Sequence, residues 1–163
     1  MKKLCVILVL CLGLTGCGTE EVFETLGQIQ HEMDMAPAMS SVQLVLPESA
    51  SQDVIFSDGN TMYDCGNYTL MLQTLSSGDL PRTVQSLSGF SLDKLTVMES
   101  KAGKYKRYDW VWTAAGEGND ALCRATVLDD GNYHYCLCAM TDAANMGKLQ
   151  NEWNEVFASF TLS

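Results

Sequence analysis

The feature that most restricts the fold is a run of four extended segments between residues 92 and 140, broken at short intervals by turn formers. Residues 92–98, 104–113, 121–128 and 132–140 are rich in β-branched and aromatic side chains. Gly103, Gly116-Glu117-Gly118 and Asp129-Asp130-Gly131 lie between them. Links this short join antiparallel neighbours, because a parallel pair needs a crossover of a dozen residues or more. The pattern predicts an antiparallel meander. A helix should close it, since Met146, Leu149, Trp153, Val156, Phe157 and Phe160 recur at helical spacing.

The segment before the meander alternates in the same way. Residues 42–46 form an apolar run ended by Pro47, and residues 53–57 and 61–64 read as short strands around Asp58-Gly59-Asn60. Residues 67–75 carry Tyr68, Leu70, Leu72 and Thr74 on one parity. Gly78-Asp79-Leu80-Pro81 reads as a helix start with Asp79 as cap and proline in the first turn. Leu80, Val84 and Leu87 make its buried stripe, and Gly89 is a suitable terminator. Nearer the N-terminus, Val22, Phe23, Leu26, Ile29 and Met33 predict an amphipathic helix over residues 20–33, with residues 35–41 as a linker. The expected class is α+β, a mainly antiparallel sheet flanked by two or three helices. Residues 42–163 should form its single globular domain.

The first sixteen residues have a different character. Lys2 and Lys3 precede an uncharged stretch from Leu4 to Leu14, too short for a bilayer span but right for a secretory leader. Leu14-Thr15-Gly16-Cys17 resembles the lipobox of bacterial lipoproteins. That resemblance implies acylation of the Cys17 thiol, cleavage before it, and a location at the cell membrane, facing outside the cytoplasm. It divides the chain into a signal peptide (1–16), an anchor with helix and linker (17–41) and the globular domain (42–163). Without Lys2 and Lys3, eight cations stand against twenty carboxylates, a formal charge of −12. Anionic head groups and nucleic acid repel such a surface, so the lipid on Cys17 is the expected membrane contact and nucleic acid is not an expected partner.

The order of elements also resembles the PsbP-like α/β/α sandwich group, as does the ending Phe157-Ala158-Ser159-Phe160-Thr161-Leu162 after a closing strand and helix. This group includes extrinsic photosystem proteins, a Ran-binding protein and many bacterial lipoproteins. The resemblance spans about residues 40–163. It implies a non-enzymatic accessory or binding domain whose partner is a protein or a small ligand.

Four cysteines lie beyond Cys17. A turn centred on Asp130-Gly131 would set Cys123 opposite Cys138, leaving Cys65 and Cys136 as a second pair. Disulfides suit an exported chain, and buried free thiols are the alternative. Cys123, Cys136 and Cys138 could also offer thiolates to a soft metal, although an i, i+2 pair on one strand fits zinc poorly. His31, Met33, Met35 and Met39 resemble a methionine-rich copper segment in composition; a helix end and tether is the plainer reading. No serine elbow, zinc-protease helix or phosphate loop occurs, and no cofactor is expected. A thiol-redox or hydrolytic enzyme using Cys136, Cys138 or His134 is the rival class.

The most prominent candidate for ligand binding is Tyr108, Trp110 and Trp112, which alternate onto one face of a strand, with Arg107, Asp109 and Val111 on the other. Such a row is either a stacking platform for a sugar or peptide, or the core beneath a helix. Tyr133 and Tyr135 share a parity nearby and would extend either version.

Overall fold

The computed structural model describes residues 36–55, 60–76, 78–115 and 120–163. Cys17, the leader, the helix expected over residues 20–33, and His31, Met33 and Met35 lie outside the described residues. The chain divides into two compact units after Ala38, and the second, Met39–Ser163, carries every element below.

Among the described residues nine strands and two α-helices form. β1 (Val42–Gln43) pairs with β9 (Thr161–Leu162) in a two-stranded ribbon. The other strands are β2 (Ser51–Ile55), β3 (Thr61–Asp64), β4 (Tyr68–Ser76), β5 (Met98–Ala102), β6 (Tyr105–Ala114), β7 (Ala121–Asp129) and β8 (Tyr133–Asp142). They build one sheet in the order β2-β3-β4-β8-β7-β6-β5, every pair antiparallel. Helix α1 (Leu80–Ser88) joins β4 to β5, and α2 (Met146–Ser159) follows β8. The fold is the α+β class expected, with a seven-stranded antiparallel sheet at its centre.

The helices pack on opposite faces. Register places Tyr108, Val127, Cys136 and Gln73 in one transverse row, and Trp110, Ala125, Cys138 and Met71 in the next. Val84 of α1 packs on this face, flanked by Leu80 and Leu87. The other face carries Leu70, Leu128, Leu137 and Ala139 beneath Leu149, Trp153, Val156 and Phe157 of α2, with Phe160 just beyond it. Helix α1 starts and stops where the sequence indicates. Asp79 accepts a hydrogen bond from the Arg82 N–H at 3.1 Å, and Gly89 closes the helix at φ +77°, a left-handed conformation that glycine adopts without strain. At the end of α2, Arg107 donates to the Phe157 carbonyl and holds Asp109 at 2.8 Å, serving a backbone group the helix leaves unpaired.

Three expectations need correction. Residues 92–98 are not one strand: Leu92–Lys94 form a 3₁₀ turn, and the strand begins at Met98. The reason lies in the two-residue loop Gly103-Lys104, with Gly103 at φ +64°, which sets Ala102 opposite Tyr105 and pairs only the residues just before it. Leu92, Leu95 and Val97 instead fold under α1.

The β7–β8 turn is centred one residue later than expected, on Gly131-Asn132. Asp130 decides this, because its Oδ1 accepts from the N–H groups of both Asn132 and Tyr133. Moving the centre by one residue moves the register by two, so Cys123 faces Met140 and Cys138 faces Ala125. Third, Tyr133 and Tyr135 do not extend the Trp110 row. Tyr135 is buried in the cluster beneath α2, on the opposite face of the sheet.

Candidate functional site

The aromatic row runs along β6 from interior to surface. Tyr108 is 6 % exposed and Trp110 only 1 %, because α1 lies over them. Nothing can stack on either ring, and an open platform of all three residues is excluded. Trp112 differs. Helix α1 ends at Gly89 before reaching it, so Trp112 is half-buried, its ring 6.2 Å from that of Trp110 and nearly parallel to it.

A cleft of about 480 Å³ opens at this point, lined by Phe90, Lys94, Leu95, Trp112 and Thr113. Local chemistry turns Phe90 outward. The Ser88 hydroxyl donates to the Val84 carbonyl at 2.7 Å and accepts from the Phe90 N–H at 3.1 Å, so the chain leaves the helix with Phe90 exposed. Leu95 also lines a neighbouring hollow with Glu99 and Tyr108. Two aromatic side chains and a leucine suit a flat apolar group, and the Lys94 ammonium, itself 3.7 Å from the Asp93 carboxylate, can meet a negative charge on it. Sequence pattern pointed to Trp112. Phe90 and Lys94 were missed, since only the helix end brings them to it.

The cysteines sit elsewhere. All four described thiols are free and buried. Cys65 belongs to the cluster beneath α2 and Cys136 to the cluster beneath α1, so the sheet stands between the two expected partners. Burial pushes every one of these thiols up, Cys138 to about 12 with Cys123 nearby adding to the shift, and Cys136 well above its usual value. Thiols held protonated are poor nucleophiles and poor metal ligands. Among the described residues no group of three or more His, Cys, Asp or Glu side chains is placed to hold a metal.

His134 is 2 % exposed and faces α1, with its Nδ1 at 2.7 Å from the Thr83 hydroxyl. Its Nε2 lies 3.8 Å from Asp129, its direct cross-strand partner. A proton on Nε2 leaves Nδ1 to accept from Thr83, which ties the helix to the sheet. Desolvation lowers the His134 pKa despite the opposing pull of Asp129, Asp130 and Asp79. The corrected turn centre is what pairs Asp129 with His134.

No family model matches the chain, and no curated protein matches it. Solved structures match it in shape. LpqN of Mycobacterium tuberculosis, involved in cell envelope biogenesis, aligns with a TM-score of 0.53 at 14 % identity, over 79 % of this chain and 87 % of LpqN. Cyanobacterial PsbP (CyanoP) from Synechocystis aligns with 0.55 at 10 % identity, over 77 % of this chain and 95 % of its own. The Saccharomyces cerevisiae Ran-binding protein Mog1p gives 0.51 at 10 %, over 74 % and 89 %. At such identities the likeness is one of fold. This chain shares the architecture of PsbP-like proteins.

That architecture also shows where the chain enters the domain relative to the cleft. The Ser40 N–H donates to the Tyr135 hydroxyl at 2.7 Å, and the Ser40 and Tyr135 hydroxyls both donate to Asp130 Oδ2. Residue 40 is thereby clasped to the β7–β8 turn. Trp112 lies six residues along β6 from Lys106, the partner of Asp129 beside that turn, or roughly 20 Å at strand rise. Entry point and cleft occupy opposite ends of the sheet.

Proposed function

We propose that this chain is a lipid-anchored, extracytoplasmic accessory domain that binds a ligand or partner at the Trp112 cleft and catalyses no reaction. The observation that carries the proposal is the pairing of the two ends just described. The lipobox-like Leu14-Thr15-Gly16-Cys17 stands ahead of a domain whose Ser40 is clasped to the β7–β8 turn, and the cleft lies at the other end of the sheet from that turn. Acyl chains on Cys17 would hold the domain at the outer side of the cell membrane without other help from the polypeptide. No helix among the described residues is long and apolar enough to cross a membrane. Raised thiol pKa values and a His134 committed to Thr83 and Asp129 favour binding over a thiol-redox or hydrolytic role.

The reading is tested in two steps. In the host, the natural chain should sediment with membranes and gain the mass of acyl groups, whereas Cys17→Ser should be released at high salt. A Cys17→Ser chain that still fractionates with lipid would overturn the anchor. For the cleft, the aromatic anion 8-anilinonaphthalene-1-sulfonate serves as probe. Saturable binding by the folded chain should be lost in Trp112→Ala and weakened in Lys94→Glu. Binding indifferent to both substitutions would move the site elsewhere.

A further inference from the structure

The sheet has two edges, and they differ. At one edge, β2 carries a register irregularity between Gln52 and Val54, the kind of bulge that disrupts further pairing. At the other edge, β5 pairs with β6 in unbroken register from Met98↔Asp109 to Ala102↔Tyr105. Met98, Glu99, Ser100 and Lys101 are all exposed.

The orientation of the free backbone groups follows from the hairpin. A two-residue loop makes its flanking residues, Ala102 and Tyr105, a hydrogen-bonded pair. Alternation then points the N–H and C=O of Ala102, Ser100 and Met98 toward β6. Those of Lys101 and Glu99 point outward, with no strand beyond them among the described residues.

We infer that β5 pairs with β5 of a second copy of this chain, antiparallel, about a two-fold axis through Ser100. The strand sequence Met98-Glu99-Ser100-Lys101-Ala102 is self-complementary about its centre. In this register Glu99 of each copy lies opposite Lys101 of the other, and these are the residues whose backbone groups face outward. Four backbone hydrogen bonds form, two at each Glu99–Lys101 pair. Exposed Met98 meets Ala102, and the two Ser100 residues form the close, non-hydrogen-bonded central pair.

The charge pattern supports this occupant over others. Within one chain Lys101 lies directly opposite Lys106, an unfavourable cross-strand pair, and Asp129 faces Lys106 only from its far side. A second copy supplies Glu99 next to Lys101, so that the transverse row of Asp129, Lys106, Lys101 and the second copy's Glu99 has an acid on each side of the two lysines. The dimer would join two seven-stranded sheets into one. Five paired residues a side bury less than the roughly 1,200 Å² of a standard interface, so the association is weak and favoured by high local concentration. This inference stands independently of the anchor and of the cleft.

The test uses the full chain in its host membrane. Ser100→Cys should give a species of twice the chain mass under mild oxidation, abolished by reductant, because the close central pair has the geometry of a disulfide. The unsubstituted chain, with Cys65, Cys123, Cys136 and Cys138 buried, serves as control. In the same background Glu99→Lys should cut the yield roughly tenfold by setting Lys against Lys at both sites. The double change Glu99→Lys with Lys101→Glu should restore it. An adduct of some other mass would assign the edge to a different protein and overturn self-pairing. So would absence of the dimer, or a yield that ignores both charge changes. The unmodified chain in mild detergent gives a second readout that needs no variant: a concentration-dependent dimer by sedimentation is expected. A monomer up to about 1 mM, the weakest affinity of interest, would overturn the inference.

Discussion

The two faces of the sheet are filled differently, one with aromatic rings from both helix and strands and the other with rings from the strand alone. Beneath α2 the helix and the residues just after it supply Trp153, Phe157 and Phe160, which meet Tyr68 and Tyr135 as well as Leu70, Leu137 and Ala139 of the strands. Beneath α1 it rises from the strand as Tyr108 and Trp110, and the helix answers with Val84, Leu80 and Leu87. Helix length explains the different outcomes. Fourteen residues of α2 keep Trp153 and Phe157 and the strand rings Tyr68 and Tyr135 buried, whereas nine residues of α1 cover two rings of three and stop. The comparison teaches that an aromatic row on a strand is core or cleft according to where the opposite helix ends.

The largest expected effect tests that contrast directly. Trp153→Ala should cost about 3–5 kcal/mol in urea unfolding, the usual range for removing a buried large aromatic. Trp110→Ala should fall in the same range, and Trp112→Ala, two residues away on the same face, below about 1 kcal/mol. Equal costs for the two β6 tryptophans would mean that the cover over α1's face does not end at Gly89.

Next in size is the helix end itself. Gly89→Ala should destabilise by about 1–2 kcal/mol, since φ +77° sets an added Cβ against the backbone. It should also alter probe binding at the cleft, because Phe90 is placed by the same turn. Removing the cap at the other end, with Asp79→Ala, should cost about 1 kcal/mol and leave the cleft unchanged.

A pH series distinguishes the faces more gently. His134 ties α1 to its face, and its folded pKa is lowered chiefly by desolvation. The unfolded chain therefore binds the proton more readily. Stability should be whole above the ordinary histidine value of about 6.5 and decline as pH falls below it. In His134→Gln the decline between neutral pH and about pH 5 should flatten, read as the urea midpoint against pH; an unchanged slope would place the proton uptake elsewhere. Asp130 acts in a separate, more acidic window. Desolvation would raise its pKa, but hydrogen bonds from the Tyr133 and Asn132 backbone and from the Tyr135 and Ser40 hydroxyls lower it on balance. The stability it supplies is lost only as pH falls through the carboxylate range.

The smallest change expected is in thiol labelling. At neutral pH Cys65, Cys123, Cys136 and Cys138 should all react slowly with a maleimide in the folded chain and rapidly in urea. Fast reaction of Cys136 or Cys138 in the native state would revive the redox reading.

Much of the fold was legible from local patterns. Asp79, Pro81 and Gly89 bound α1 because capping and left-handed closure are properties of single residues and their neighbours. The apolar spacing from Met146 to Phe160 marks α2, and the glycines and aspartates between residues 92 and 140 mark the meander. Register was another matter. Asp130 accepts from both Asn132 and Tyr133, and this choice among neighbouring turn centres moved every cross-strand pair of β7 and β8 by two residues. It separated Cys123 from Cys138 and joined Asp129 to His134.

What the sequence alone determined are the features set within one turn or one strand: element type, caps, alternation and charge. Only the tertiary structure decided which side of a strand is covered, and how far. Covering depends on the length of α1 against the length of β6, and on which turn residue holds the β7–β8 hairpin. The first is a relation between segments distant in the chain; the second is a local contact of Asp130, but neighbouring turn residues offer competing centres, and the choice among them sets every pair along both strands.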